Sequence, residues 1–117
     1  MLPFGRADTA ARPEMNVPLS AEARRRVDLL FAGAAHDAAA RLLETQCGDK
    51  LPFMQHASAA DLDRVRFAAL KLSQGRLDKL REAIALAQVD WRDLLMAAGF
   101  GHDVDAHRRW LPVPRRD

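Results

Sequence analysis

Apolar residues between positions 20 and 110 recur with the period of an amphipathic α-helix in one segment after another. Ser20 is a suitable N-cap, and the residues after it place an apolar stripe on one helix face. The stripe consists of Ala23, Val27, Leu30, Phe31 and Ala34. Gly33 is placed to end this helix, and a second helix is predicted over about 37–47, with Gly48 just beyond its end.

The segment between Ser58 and Gly75 is apolar around most of its circumference. Ser58 followed by Asp61 resembles a capping box, which marks a helix start. A helix that is apolar nearly all round is usually central in its bundle. We therefore expect this helix to contact several others. The connection before it, 48–56, is predicted to pack Leu51 and Phe53 on the core.

Three shorter helical segments follow, each with a start or stop signal. The first spans about 77–88, and Gly75 precedes it. Asp90 is predicted to cap a helix that Gly99 ends. Trp91 is predicted to be a core anchor, whose truncation to alanine would cost about 3–5 kcal/mol. Asp103 is predicted to begin a last short helix, which reaches about Trp110.

Composition agrees with this helical pattern, because alanine is abundant and β-branched residues are scarce. The predicted fold is all-α: a compact orthogonal bundle of about six short helices, forming one domain over residues 20–111. Flexible arms are predicted over 1–19 and 112–117, where prolines interrupt any helical period. We predict no secretory signal, and the sequence has no run of about 18 apolar residues that could span a membrane. We expect a cytoplasmic, bacterial protein without membrane contact.

Charge and cysteine content narrow the function classes further. The chain has 18 basic and 16 acidic residues, a formal net charge of +2. So small an excess gives little long-range attraction to nucleic acid. The single cysteine, Cys47, excludes an intrachain disulfide. It falls on the apolar side of a helix and is predicted to be a buried hydrophobic residue.

Two basic clusters are the first candidate site. One is the run 24–26, and the other is Arg108 and Arg109 near the C-terminus, with 115–116 beyond them. If the fold brings them together, they form one patch for RNA, an acidic partner or a phosphorylated ligand; if it keeps them apart, they are solvated surface. The candidate binding residues are Arg24, Arg25, Arg108, Arg109 and Trp110.

A helix-turn-helix interpretation of segment 65–88 is the nucleic-acid alternative. The turn at Gly75 suits the motif, and the basic residues Arg76, Lys79 and Arg81 could contact phosphates. Asp78 and Glu82 lie on the same exposed face, where they would repel a DNA backbone.

A metal site is the weaker alternative, at the cluster His102, Asp103 and His107. Imidazole and carboxylate groups are metal ligands. However, His102 and His107 lie about 140° apart on a helical wheel, so a shared ion requires His102 in the preceding loop.

No catalytic residue and no cofactor are predicted. The serines are limited to Ser20, Ser58 and Ser73, all of them at predicted helix boundaries. We therefore predict a small helical protein–protein interaction or regulatory module, which acts through an apolar groove with basic edges. Its expected partner is another protein, and nucleic acid is the less favoured partner.

Overall fold

The computed structural model of the chain describes residues 17–48, 51 and 58–113. Within these residues the structure is all-helical and contains no strand, as predicted. Five helices are present in this part of the chain, where about six were predicted. They are α1 (Ala21–Leu30), α2 (Gly33–Gln46), α3 (Ala59–Ser73), α4 (Leu77–Ala98) and α5 (Ala106–Arg109).

The difference in helix number comes from Asp90. The predicted helices 77–88 and 91–98 join in α4, which Asp90 interrupts with an extended backbone of φ −156° and ψ 96°. The Asp90 carboxylate accepts a hydrogen bond from the Arg92 N–H at 3.0 Å. Asp90 therefore caps the second segment as predicted, but the interruption lasts only one residue.

Two helix starts also differ from the prediction. Gly33 begins α2, with φ +60°, instead of ending α1, which stops at Leu30. Alanines 34 and 35 favour helix, so α2 starts four residues before Asp37. The last helix begins at Ala106, because the Asp103 carboxylate accepts the Asp105 N–H at 2.8 Å and holds a turn there.

The other start and stop signals act as predicted. Ser58 and Asp61 form a reciprocal capping box at the start of α3. Gly99 ends α4 in the left-handed conformation, with φ 82°, and Phe100 behind it is buried. Ser20 caps α1 by accepting the Ala23 N–H at 3.1 Å.

The core lies around α3, which packs against α1, α4 and α5. Leu51 is buried in it, as predicted, and Phe53 lies outside the described residues. Residues 17–19, at the end of the predicted N-terminal arm, are described, and Leu19 is buried. The arm's first sixteen residues and 114–117 of the C-terminal tail lie outside the described part, so both arms stay predictions.

Cationic side chains on α1 and α3 donate hydrogen bonds to the carbonyls at the ends of the other helices. Arg66 is buried and donates to the carbonyls of Leu43 and Cys47 at the end of α2. Lys71 donates to the Ala98 carbonyl at the end of α4 at 2.8 Å. The last carbonyls of a helix lack intrahelical donors and carry partial negative charge, so a cation satisfies both needs. Arg26 has the same role for α5.

Candidate functional site

The two basic clusters meet, but through a buried arginine that belongs to the fold. Arg26 donates from Nε to the Trp110 carbonyl at 3.1 Å and from Nη1 to the Glu22 carboxylate at 2.9 Å. Its guanidinium lies 4.1 Å from the centre of the Phe67 ring. Through these contacts Arg26 holds the C-terminal segment against α1 and α3. It is not available to a partner.

The basic residues predicted to bind lie on the surface, but Arg24 faces α2 and not this junction. Arg24, Arg25, Arg108 and Arg109 are exposed. Arg24 lies 3.5 Å from Glu44, and Arg108 lies 3.8 Å from Asp105. Arg109 pairs with Asp103. Exposed ion pairs of this kind add little to the stability of a fold.

A cleft of about 270 Å³ opens where α1, α3 and α5 meet. Its lining mixes acidic and basic groups with a phenyl ring; the residues are Glu22, Arg26, Ala60, Asp63, Phe67, His107 and Arg108. Trp110 is half-buried beside it, with its ring centre 6.3 Å from that of Phe100. Because its charges are mixed, this cleft does not form the basic patch that was predicted.

The structure does not bring His102, Asp103 and His107 together as a ligand set. His102 is exposed, whereas His107 is buried, with its ring centre 5.2 Å from that of Phe67. Burial lowers the pKa of His107. The Asp103 carboxylate accepts hydrogen bonds from the Asp105 N–H and from the Arg109 side chain, and both bonds lower its pKa. Among the described residues, no group of three or more His, Cys, Asp or Glu side chains is placed to hold a metal ion.

The residues of the nucleic-acid alternative lie on the outer face of α4. Arg76 forms two hydrogen bonds to Asp78, at 3.0 and 3.2 Å, and Lys79 lies 3.9 Å from Glu82. Arg81 is exposed beside a shallow depression between α2 and α4. Paired charges of both signs would weaken contact with phosphates. Binding through this face stays a prediction that the geometry does not strengthen.

The three serines serve helix ends, as predicted. Ser20 and Ser58 are side-chain caps, and the Ser20 hydroxyl also donates to Asp63 at 2.9 Å. Ser73 donates to the Leu70 carbonyl at 2.7 Å and accepts the Gly75 N–H at 3.2 Å. All three hydroxyls are therefore engaged in hydrogen bonds at helix boundaries.

An apolar groove between α3 and the second segment of α4 is the feature that sequence reasoning missed. We call it the Trp91 groove; its volume is about 320 Å³, and it is lined by Arg64, Trp91, Arg92, Leu95, Met96 and Gly101. Trp91 was predicted to be a core anchor, but it is only half-buried and packs on the core from its edge. Met96 is 53% exposed.

Local structure explains how the groove is formed. The extended backbone of Asp90 starts a new helical segment, which presents Trp91 at its first position. Gly99 then reverses the chain, so that Gly101 lies directly against Met96. A Cβ atom at position 101 would overlap the Met96 sulfur, so this close approach requires glycine unless that side chain moves.

Two arginines flank the apolar floor of the groove. Arg64 donates from Nη2 to the Phe100 carbonyl, while its buried Nε–H has no hydrogen-bond partner among the described residues. The Arg92 side chain is 75% exposed, and its guanidinium lies 6.0 Å from the Trp91 ring centre. It is 3.7 Å from the Asp90 carboxylate, a weak pairing. The groove therefore offers an apolar surface with positive charge at its edges.

Comparison with protein-family models, curated proteins and solved structures finds no match to this chain. In the part of the chain that the structure describes, no helix combines the length and apolar character needed to cross a membrane.

Proposed function

We propose that the protein is a small helical protein–protein interaction or regulatory module, and that the Trp91 groove is its binding site. The observation that carries this proposal is the half-buried Trp91 beside the exposed Met96, in a groove with arginine edges. Tryptophan, methionine and arginine are enriched at protein interfaces, and tryptophan and arginine recur among the residues that dominate binding energy.

The way in which the helix under the groove is held in place supports this proposal. Its floor belongs to α4, whose C-terminal end is held by Gly99 and by the hydrogen bond from Lys71 to the Ala98 carbonyl. A rigid groove loses little conformational entropy on binding, which favours recognition of a partner segment. The volume, about 320 Å³, is at the lower end of the roughly 300–1,000 Å³ range of ligand pockets. It suits one anchor side chain of a partner.

Affinity capture from the native lysate, after nuclease treatment, tests this function with a matched pair of variants. Met96→Glu places a charge at the groove, and Ala34→Glu places the same charge on an exposed position of α2. We expect wild type and Ala34→Glu to retain the same discrete protein, and Met96→Glu to lose it. Circular dichroism is the control that checks whether both variants remain folded. Equal retention by all three proteins would contradict the proposed site.

A further inference from the structure

The two arginines at the edges of the Trp91 groove indicate what its occupant carries. Arg64, on one edge, is held at the groove by the hydrogen bond from its Nη2 to the Phe100 carbonyl and brings positive charge there. Arg92, on the other edge, keeps most of its side chain in solvent. An arginine guanidinium presents several donors in a fork that matches a carboxylate.

The floor between these edges requires an apolar group. Leu95 is buried beneath it, and Trp91 and Met96 expose apolar surface to the groove. A purely anionic occupant would leave the apolar surface of the groove exposed to water. A purely apolar occupant would make no hydrogen bond or ion pair with the arginines. An apolar side chain next to a carboxylate satisfies both.

We propose, resting on the function above, that the Trp91 groove binds a peptide segment of a partner protein in which an aspartate or glutamate adjoins a large apolar side chain. The apolar side chain lies between Trp91 and Met96. The carboxylate is received by the exposed guanidinium of Arg92. A peptide is favoured over a small enclosed ligand because the groove lies at the surface, with both Met96 and Arg92 largely exposed.

Selection from a displayed library of random peptides with blocked C-termini tests this inference. The library is selected in parallel on immobilised wild type, Met96→Glu and Arg92→Glu. We expect wild type to enrich peptides with Asp or Glu beside Leu, Phe or Trp. Met96→Glu should enrich none of them, and Arg92→Glu should lose the acidic preference while keeping the apolar one.

The outcomes separate this inference from the proposed function. Enriched peptides that lack a carboxylate, or whose acidic preference survives Arg92→Glu, would overturn the inference but leave the groove as a binding site. Failure to enrich any peptide would also overturn the inference. Enrichment that Met96→Glu does not change would count against the groove itself and thus against the proposed function.

The affinity of the strongest selected peptide, made synthetically, can be read from Trp91 fluorescence in a Trp110→Phe background. We expect Arg92→Gln to weaken binding roughly 2- to 5-fold and to reduce its dependence on salt, because it removes an exposed charge pair. Arg41→Gln, which removes an exposed arginine from α2, is the control and should leave the affinity unchanged. Equal affinities for all three proteins would refute the role of Arg92.

Discussion

Replacing Arg66 with methionine should destabilise the fold strongly, although it exchanges a buried charge for an apolar side chain of similar length. Arg66 is 1% exposed. It donates to the carbonyls of Cys47 at 2.9 Å, Pro18 at 3.0 Å and Leu43 at 3.3 Å, and to that of Val17. Exchanging a whole buried ion pair for apolar residues is often neutral or stabilising. Among the described residues its partners are backbone carbonyls, and a change of the Arg66 side chain leaves these carbonyls in place.

The size of the destabilisation depends on which hydrogen bonds each carbonyl keeps after the substitution. The Leu43 carbonyl keeps a hydrogen bond from the Cys47 N–H at 3.2 Å, and the Val17 and Pro18 carbonyls are only partly buried and can regain water. The Cys47 carbonyl loses a buried donor, at a cost of about 1–3 kcal/mol. The other three carbonyls add a smaller loss. The free energy of unfolding should therefore fall by about 3 kcal/mol in total, near the range for breaking a buried charged contact.

Urea unfolding followed by circular dichroism measures this change. Arg41→Met makes the same chemical change at an exposed position and should alter the free energy of unfolding by less than about 0.5 kcal/mol. Arg66→Lys should fall between them, because one ammonium group cannot reach all four carbonyls. If Arg66→Met is as stable as Arg41→Met, the carbonyls do not depend on Arg66 and the reasoning is refuted.

Three further predictions follow from the helix caps and titratable groups. Ser58→Ala should lower the free energy of unfolding by about 1 kcal/mol in urea melts, because α3 loses its capping box. Burial raises the pKa of Cys47 to about 12, so iodoacetamide should modify the thiol only after unfolding. Hydrogen bonds to two neighbouring carboxylates raise the pKa of His36, and burial lowers that of His107. NMR titration should therefore place their midpoints above and below 6.5 respectively. His36 then adds stability below pH 6.5 that is lost as pH rises through its raised pKa, and a His36→Gln variant should remove this pH dependence.

The helices were predictable because their signals are local. The capping box of Ser58 and Asp61, the stop at Gly99 and the cap at Asp90 each depend on residues within a few positions of one another. The same local reasoning overcounted the helices, because it could not show that the chain continues as helix directly after Asp90.

The buried arginines were not predictable from periodicity, which treats every arginine as a surface residue. Arg66 contacts the end of α2 from 19 positions away, and Arg26 contacts the Trp110 carbonyl from 84 positions away. A sequence does not show that three helix ends converge on α1 and α3. For this reason the sequence did not show that Arg26, within the basic run 24–26, is buried.

The position of the candidate site was not predicted from the sequence, and none of the predicted binding residues lines the Trp91 groove. An apolar groove with basic edges was expected, and Trp91 was assigned to the core because it follows a cap in phase with Leu94 and Leu95. Its half-burial depends on the direction of the segment after Asp90 and on the loop that returns Gly101 to Met96. The available signal was Met96, an apolar residue one helical turn after the exposed Arg92.

Hydrogen–deuterium exchange of the protein alone and with its captured partner is the most direct test of the proposed groove. Binding in the Trp91 groove predicts slowed exchange across residues 91–101, where the apolar floor and the returning loop lie. The first segment of α4, residues 77–88, and the cleft between α1 and α5 should exchange at unchanged rates. Slowed exchange confined to either of those two regions, with residues 91–101 unchanged, would contradict the proposed binding site.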